Sequence, residues 1–238
     1  MAIKRIKTGI EGLDAMVDGG LEKGTQVLVI GEVGAGKTIF GLHYLYGGAL
    51  RGEAGLLVTF EEPGDSLLET MKSFNWRAEE FIEEKKLNIL QIKLSELTHE
   101  VESGFDMIKQ CIAELKPKRL VIDSVGSINS LFPGLPDRKA AMHKLTDTVR
   151  ESGCTTLLLS QPEEGQNAHQ RHGGLEIIVD GIIGLNYILS SGDTRFRSLE
   201  VLKMRRTHHH NKRVWFEIKN GIYVDYEEGG SIIWLRKK

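Results

Sequence analysis

With 238 residues, 40% apolar and 27% charged, the chain has the size and make-up of one α/β domain with an ample core. A formal charge of −2 argues against a protein whose main work is neutralising a nucleic-acid backbone. No apolar run approaches membrane-spanning length and the opening MAIKRIKTGIEGLD lacks the apolar core of a secretory signal, so the expectation is a cytoplasmic protein without a membrane partner.

Residues 8–24, TGIEGLDAMVDGGLEKG, carry glycines that predict tight turns around a short helix at 12–17. Residues 26–41, QVLVIGEVGAGKTIFG, read as a buried strand at 27–30, a glycine-rich turn and the start of a helix. Gly31, Gly36, Lys37 and Thr38 fill the G-x-x-x-x-G-K-[ST] template of a P-loop. Glycines let the backbone curl so that successive N–H groups point inward at a phosphate chain, and the helix beginning near Lys37 adds the positive end of its dipole. The binding segment is therefore Gly31, Glu32, Val33, Gly34, Ala35, Gly36, Lys37, Thr38 and Ile39. Lys37 reaches the β- and γ-phosphates as a point charge, and the Thr38 hydroxyl ligates Mg²⁺. This reads as a nucleoside triphosphate site.

The helix continues over 39–50, with Leu42, Leu45 and Ala49 at helical spacing. A buried parallel strand is expected at 55–60, followed by Glu61-Glu62-Pro63 and a helix to Phe74 capped by Asp65 or Ser66. A charged helix at 77–86, a strand at 88–92, an amphipathic helix at 105–115 and a strand at 119–123 ending in Asp123 come next. Residues 124–136 read as a loop, 137–152 as a helix, 155–160 as a strand and 161–174 as a polar loop. Cys111 and Cys154 read as small buried apolar residues rather than halves of a disulfide. Beyond that the pattern changes to strands at 177–189, 198–206, 213–218 and 221–224, with tight connections such as Asn220-Gly221. The fold class is α/β: a mainly parallel central sheet flanked by helices, with an antiparallel C-terminal extension, as a single domain over 1–238.

A P-loop needs a second carboxylate to hold the metal, and Asp123, after Leu120-Val121-Ile122, fits the Walker B pattern. Hydrolysis also needs a group that orients or deprotonates water. Glu61 and Glu62 lie at the carboxyl edge of the sheet, where neighbouring carboxylates repel and one is expected to serve as the base. Gln161, on the same edge, is a candidate sensor of the γ-phosphate. Lys203 and Arg205, two apart on an expected strand, project from one face and suit a phosphate chain. Since the P-loop already has Lys37, the pair is better offered to a neighbouring subunit. His208, His209 and His210 are adjacent, point different ways and have no second ligand cluster, so they do not read as a metal site.

With these residues assembled, the chain resembles the RecA-like P-loop ATPases and, among them, the KaiC-like branch. The resemblance rests on TGIEGLDAMVDGGLEKG leading into GEVGAGKT, on FEEP, on RLVIDS and on VLKMRRTHHH, and covers nearly the whole chain. It implies that Lys37 and Thr38 bind ATP and Mg²⁺, that Asp123 supports the metal, and that Glu61 and Glu62 are the catalytic carboxylates. It further implies that Lys203 and Arg205 are presented across a subunit interface in a hexameric homo-oligomer with ATP between subunits. The expected activity is slow, Mg²⁺-dependent ATP hydrolysis by a regulatory ATPase, whose protein partner the sequence does not identify. Clock members of the branch carry two tandem copies of the domain, and this chain has one. Their phosphorylated hydroxyls have no counterpart in the matching segment HGGLEII, so the resemblance does not extend to a phosphorylation cycle. The alternative is a DNA-binding, recombinase-like ATPase using the loops SVGSINSLFPGLPDRK and QPEEGQNAHQRHGG. Those loops contain Glu163 and Glu164 and only Phe132 for stacking, so DNA is the less favoured partner.

Overall fold

The computed structural model describes residues 3–93, 101–132, 134–161, 174–189 and 195–226. The apolar run of β3 (Gln26–Gly31) is buried at every position because β3 lies inside a 9-stranded sheet with helices on both faces. The parallel part comprises β3, β4 (Gly55–Thr59), β5 (Leu87–Gln91), β6 (Arg119–Asp123), β7 (Thr155–Ser160) and β8 (Gly181–Leu189). The antiparallel strands β9 (Arg195–Met204), β10 (Val214–Ile218) and β11 (Ile222–Val224) extend it beyond β8, giving the order β11-β10-β9-β8-β3-β7-β6-β4-β5. β1 (Arg5–Ile6) and β2 (Leu21–Glu22) form a separate 2-stranded ribbon, which the sequence does not mark, around α1 (Leu13–Met16), which falls within the helix expected at 12–17.

Side chains alternate across the sheet and so feed two cores. Val27, Val29, Leu57, Val121, Leu157 and Leu159 pack with α2 (Lys37–Ala49), α3 (Gly64–Ser73) and α4 (Ala78–Glu83). Leu28, Ile30, Leu56, Val58, Leu120, Ile122 and Leu158 pack with α5 (Val101–Leu115), α6 (Val125–Ser130), α7 (Leu135–Ser152) and α8 (Leu175–Ile178). Among the described residues, no helix is long and apolar enough to cross a membrane.

Four local expectations are corrected. The expected loop at 124–136 contains α6, whose Val125 and Ile128 are both buried; its Gly, Ser and Asn content hid that helical spacing. The expected strand from 177 begins instead with α8, because Leu175 and Val179, four apart, must both be buried, and that outweighs the β-branched run. β9 spans Arg195–Met204 rather than 198–206 and ends before Arg206, which has φ +55°. The N-cap of α3 is Pro63, so neither Asp65 nor Ser66 caps it; the Ser66 hydroxyl donates to Glu62 Oε1 at 2.7 Å.

Arg119, the first residue of β6, is wholly buried. Its guanidinium donates to Glu53 Oε2 at 2.6 and 2.9 Å, to Tyr44 O at 2.8 Å, to Lys7 O at 2.7 Å and to Thr8 O at 3.3 Å. It also lies 4.7 Å from the centroid of the Tyr44 ring. α2 comes this close because residue 48 is glycine: a Cβ there would sit 2.4 Å from Arg119 Nε. Burial raises the Tyr44 phenol above its ordinary range, and its hydroxyl donates to Thr155 O at 3.0 Å. Arg119→Ala, which strips Glu53 and several buried carbonyls of a donor, is expected to lower unfolding free energy by about 3–5 kcal/mol in urea titrations.

A second tie joins α2 to the antiparallel extension. His43 Nδ1 accepts the Ile222 N–H at 2.9 Å, and Trp76 Nε1 donates to Asn220 O at 3.1 Å, with the His43 and Trp76 rings 5.1 Å apart. Burial holds the His43 imidazole down to about 4, and a ring protonated at Nδ1 could not accept that bond. The folded value lies below the unfolded one, so the stabilisation is complete above about pH 6.5 and is lost as pH falls towards 4. The loss amounts to roughly 3 kcal/mol at most. His43→Gln, which retains an acceptor, is expected to show a correspondingly shallower fall in denaturation free energy across that window.

Candidate nucleotide site

The turn after β3 is built where backbone and helix ends converge. Ala35 N donates to Glu32 O at 3.1 Å, closing the turn, and Gly36, at φ +103°, is the N-cap of α2. A Cβ on Gly31 would lie 2.5 Å from Leu185 O, and one on Gly36 would meet Ile218 Cδ1 at 2.8 Å, so the loop's path requires glycine at both positions. Glu32, Val33 and Gly34 are exposed, Ala35 is buried, and Gly36, Lys37, Thr38 and Ile39 are half-buried. The Lys37 ammonium folds over the loop, donating to Gly31 O at 2.8 Å and Glu32 O at 3.0 Å. Burial lowers its pKa, while Asp123, Glu61 and Glu32 pull the other way.

β7 lies between β3 and β6, and the parallel registers bring Asp123 to the same sheet edge as the loop. Thr38 Oγ1 donates to Asp123 Oδ2 at 2.7 Å. Burial pushes the Asp123 carboxyl up, against the Thr38 hydrogen bond and the Lys37 charge; Glu61 and Glu62 push it further. A divalent cation at this pair would offset that crowding of negative charge. A hydroxyl beside a carboxylate, next to a phosphate-binding loop, suits Mg²⁺, which takes one or two protein ligands and completes its shell with water and substrate phosphates.

Glu61 and Glu62 follow β4 on this edge. Glu61 Oε1 accepts from Ser127 Oγ and, at 3.5 Å, from Ser124 Oγ, whereas Glu62 is tied to Ser66 in the first turn of α3. The Asp123–Ser124 peptide is cis. Gln161, exposed just after β7, has its Cγ 3.8 Å from where a Gly126 Cβ would stand, so it too belongs to this edge.

Lys203 and Arg205 do not join this constellation within one subunit. Lys203 pairs with Ile182, which is level with Leu28, roughly 10 Å along the strand from Gly31 at about 3.3 Å per residue. Lys203 Nζ donates to Glu176 O at 2.8 Å and Val179 O at 2.7 Å, and Arg205 donates to Ile177 O at 2.8 Å and Ile178 O at 3.3 Å. Arg205 lies just past β9 yet shares this face with Lys203, and it has an acidic neighbour that the local sequence did not reveal, Asp180 at 3.7 Å. Farther along, the His210 ring meets Tyr226 edge-on at 5.0 Å, and His209 Nδ1 lies 3.3 Å from Thr207 O.

Sequence reasoning missed the braces of the loop. Tyr187, on β8, donates to Gly34 O at 2.7 Å and accepts from Arg197, on β9, at 3.0 Å. It also missed Ser124 and Ser127. A serine immediately after the strand-ending acid was the available signal for Ser124, but nothing local marked Tyr187 or Arg197.

The glycine turn on an interior parallel strand, the Lys-Thr pair opening the next helix and the acid ending a nearby strand define a P-loop nucleotide-binding protein of RecA-like fold. The KaiC ATPase family model matches residues 6–229, and the chain belongs to that family. It is 32% identical over 216 residues to the circadian clock oscillator protein KaiC of Parasynechococcus marenigrum, covering 88% of this chain and 42% of that protein. Against KaiC of Synechococcus elongatus it is 33% identical over 215 residues, covering 87% and 41% respectively. The chain thus spans about two fifths of the length of these relatives. The crystal structure of the KaiC-like protein PH0186 from Pyrococcus horikoshii OT3 matches with a TM-score of 0.84 at 34% identity, covering 94% of this chain and 99% of that one.

Lys37→Ala removes the loop's only side-chain cation and is expected to weaken binding of a fluorescent ATP analogue at least a hundredfold while leaving the thermal midpoint within a few degrees.

Proposed function

We propose that the protein binds ATP with Mg²⁺ and hydrolyses it slowly, as a hexameric ring in which Lys203 and Arg205 of one subunit act on the nucleotide held by the P-loop of the next. The observation that carries this reading is the convergence of Lys37, Thr38 and Asp123 on one sheet edge, in a chain of the KaiC ATPase family. Lys37 and the loop amides hold the phosphates, and Thr38 and Asp123 hold the metal, which when bound neutralises charge developing on the phosphate oxygens. Glu61 takes the proton of the attacking water, and Glu62 keeps the loop after β4 in register through Ser66. Gln161 senses the γ-phosphate from the end of β7. The regulatory partner is a protein.

The place of the second pair of cations supports the ring. Lys203 and Arg205 are at the far end of the sheet from their own P-loop, so they can serve a phosphate chain only in another copy. A contact between two different patches propagates head to tail until it closes or becomes a filament, and the ring is the closed form. Such a cation stabilises the transferring phosphoryl group and carries much of the rate. Lys37→Ala and Arg205→Ala are each expected to release phosphate at under a tenth of the parent rate. Mixed in equal amounts and allowed to exchange with ATP, they should recover about a quarter of it, since one interface in four then pairs an intact loop with an intact arginine. A monomer by light scattering with ATP present, full activity in Arg205→Ala, or no recovery on mixing would each refute the shared site.

A further inference from the structure

Glu61 and Glu62 are adjacent in sequence, yet the fold gives their carboxylates different surroundings. Glu62 is half-buried and accepts from Ser66 at 2.7 Å, a bond within the turn that opens α3. Glu61 is exposed and reaches across to α6, where its described hydrogen bonds all fall on Oε1. The donors there are two serines, each only 5% exposed, whose hydroxyls are 2.9 Å apart. A carboxylate only accepts, and a serine has one proton to give. With the Ser127 proton directed to Glu61, the Ser127 oxygen accepts from Ser124 at 2.9 Å, and the longer 3.5 Å approach of Ser124 Oγ to Glu61 is then a contact without a proton; this orients the chain as Ser124 O–H to Ser127 O–H to Glu61. Each link polarises the next, and the last is a charge-assisted bond.

We propose that Ser127 is a positioning residue for Glu61: its hydroxyl pins one carboxylate oxygen so that the other faces the attacking water. This rests on the reading of Glu61 as the group that takes the water's proton. In that step the water oxygen bonds to the γ-phosphorus, the bond from phosphorus to the β–γ bridging oxygen breaks, and the water proton passes to Glu61, giving ADP and phosphate. An exposed glutamate with three side-chain torsions loses most of its encounters with that water to other rotamers unless one oxygen is held. Ser127 is suited to hold it because its own position is fixed: the residue is buried on α6, and its backbone N–H donates to Ser124 O at 3.2 Å. The effect is on the orientation of Glu61, the carboxylate that the Ser127 hydroxyl contacts.

The test is a double-mutant cycle on the full chain with ATP and Mg²⁺, reading steady-state phosphate release, single-turnover rate and binding of a fluorescent ATP analogue. Ser127→Ala is expected to lower kcat roughly tenfold with KM and analogue affinity within about twofold of the parent. Ser127→Thr, which keeps a hydroxyl, should restore most of the rate. Glu61→Gln should turn over about a hundredfold more slowly, and adding Ser127→Ala to it should cost less than about twofold more, because the residue it positions no longer acts. Parent-like kcat in Ser127→Ala, or a tenfold loss that persists undiminished in the Glu61→Gln background, overturns the proposal. Parent-like turnover in Glu61→Gln instead overturns the reading of Glu61 itself. A fall in analogue affinity and thermal midpoint in both Ser127→Ala and Ser127→Thr would make the serine structural, which also overturns the proposal.

Discussion

The site depends on holding α2 and β6 in fixed relation, and the two elements are pinned at both ends. At the start of β6 the Arg119 guanidinium takes the Tyr44 carbonyl of α2, and at its end Asp123 takes the Thr38 hydroxyl at the start of the same helix. Between them apolar side chains fill the gap, with Leu42 and Leu45 packed in the same core as Val121. A buried arginine is costly unless every donor is used, and here Glu53, two carbonyls of the lead-in and one of α2 use them. That requirement explains why the first residues matter to a site they never touch. Lys7 and Thr8 are among the acceptors that make Arg119 tolerable, and Arg119 sets the position of the helix that carries Lys37 and Thr38.

The sheet also separates the chemistry by its two ends. The glycine loop, the Thr38–Asp123 pair, Glu61 and Gln161 gather at the carboxyl edge of the parallel strands, where open α/β sheets bind ligands. Lys203 and Arg205 gather at the other end, anchored to the carbonyls that close α8. Cations beside the carbonyls that end a helix are favourably placed, as Lys203 and Arg205 are here. Lys203 is drawn down by burial and by the neighbouring Arg205 charge, with Asp180 and Glu176 opposing. The antiparallel strands contribute to the carboxyl edge too, since Tyr187 and Arg197 brace Gly34 from β8 and β9.

The sequence disclosed what depends on local pattern. The P-loop follows from the spacing of Gly31, Gly36, Lys37 and Thr38, and the parallel core from uninterrupted apolar runs such as those in β3 and β7. Where the pattern was local but ambiguous, the reading slipped: Ile177 and Ile178 look like a strand, and only the need to bury Leu175 and Val179 together makes that segment helical. What stayed hidden was contact across the fold. Arg119 meets Glu53 across 66 positions, Ser127 meets Glu61 across 66, and Tyr187 meets Gly34 across 153. No periodicity records such pairs. The different surroundings of Glu61 and Glu62 were likewise invisible, because they are set by Ser127 on α6 and Ser66 on α3.

The strand order has a consequence for how the molecule is made. β3 lies near the beginning of the chain, but its two neighbours are β7 and β8, residues 155–160 and 181–189. Both edges of the P-loop strand therefore wait for chain synthesised more than a hundred residues later. Such distant pairing makes folding slow, since a large loop must close before the contacts repay it. A nascent chain emerging from the ribosome cannot complete the nucleotide pocket until residue 185, which lies opposite Gly31, has been released. Until then the strand beginning at Gln26 lacks both of its partners and presents two unpaired edges.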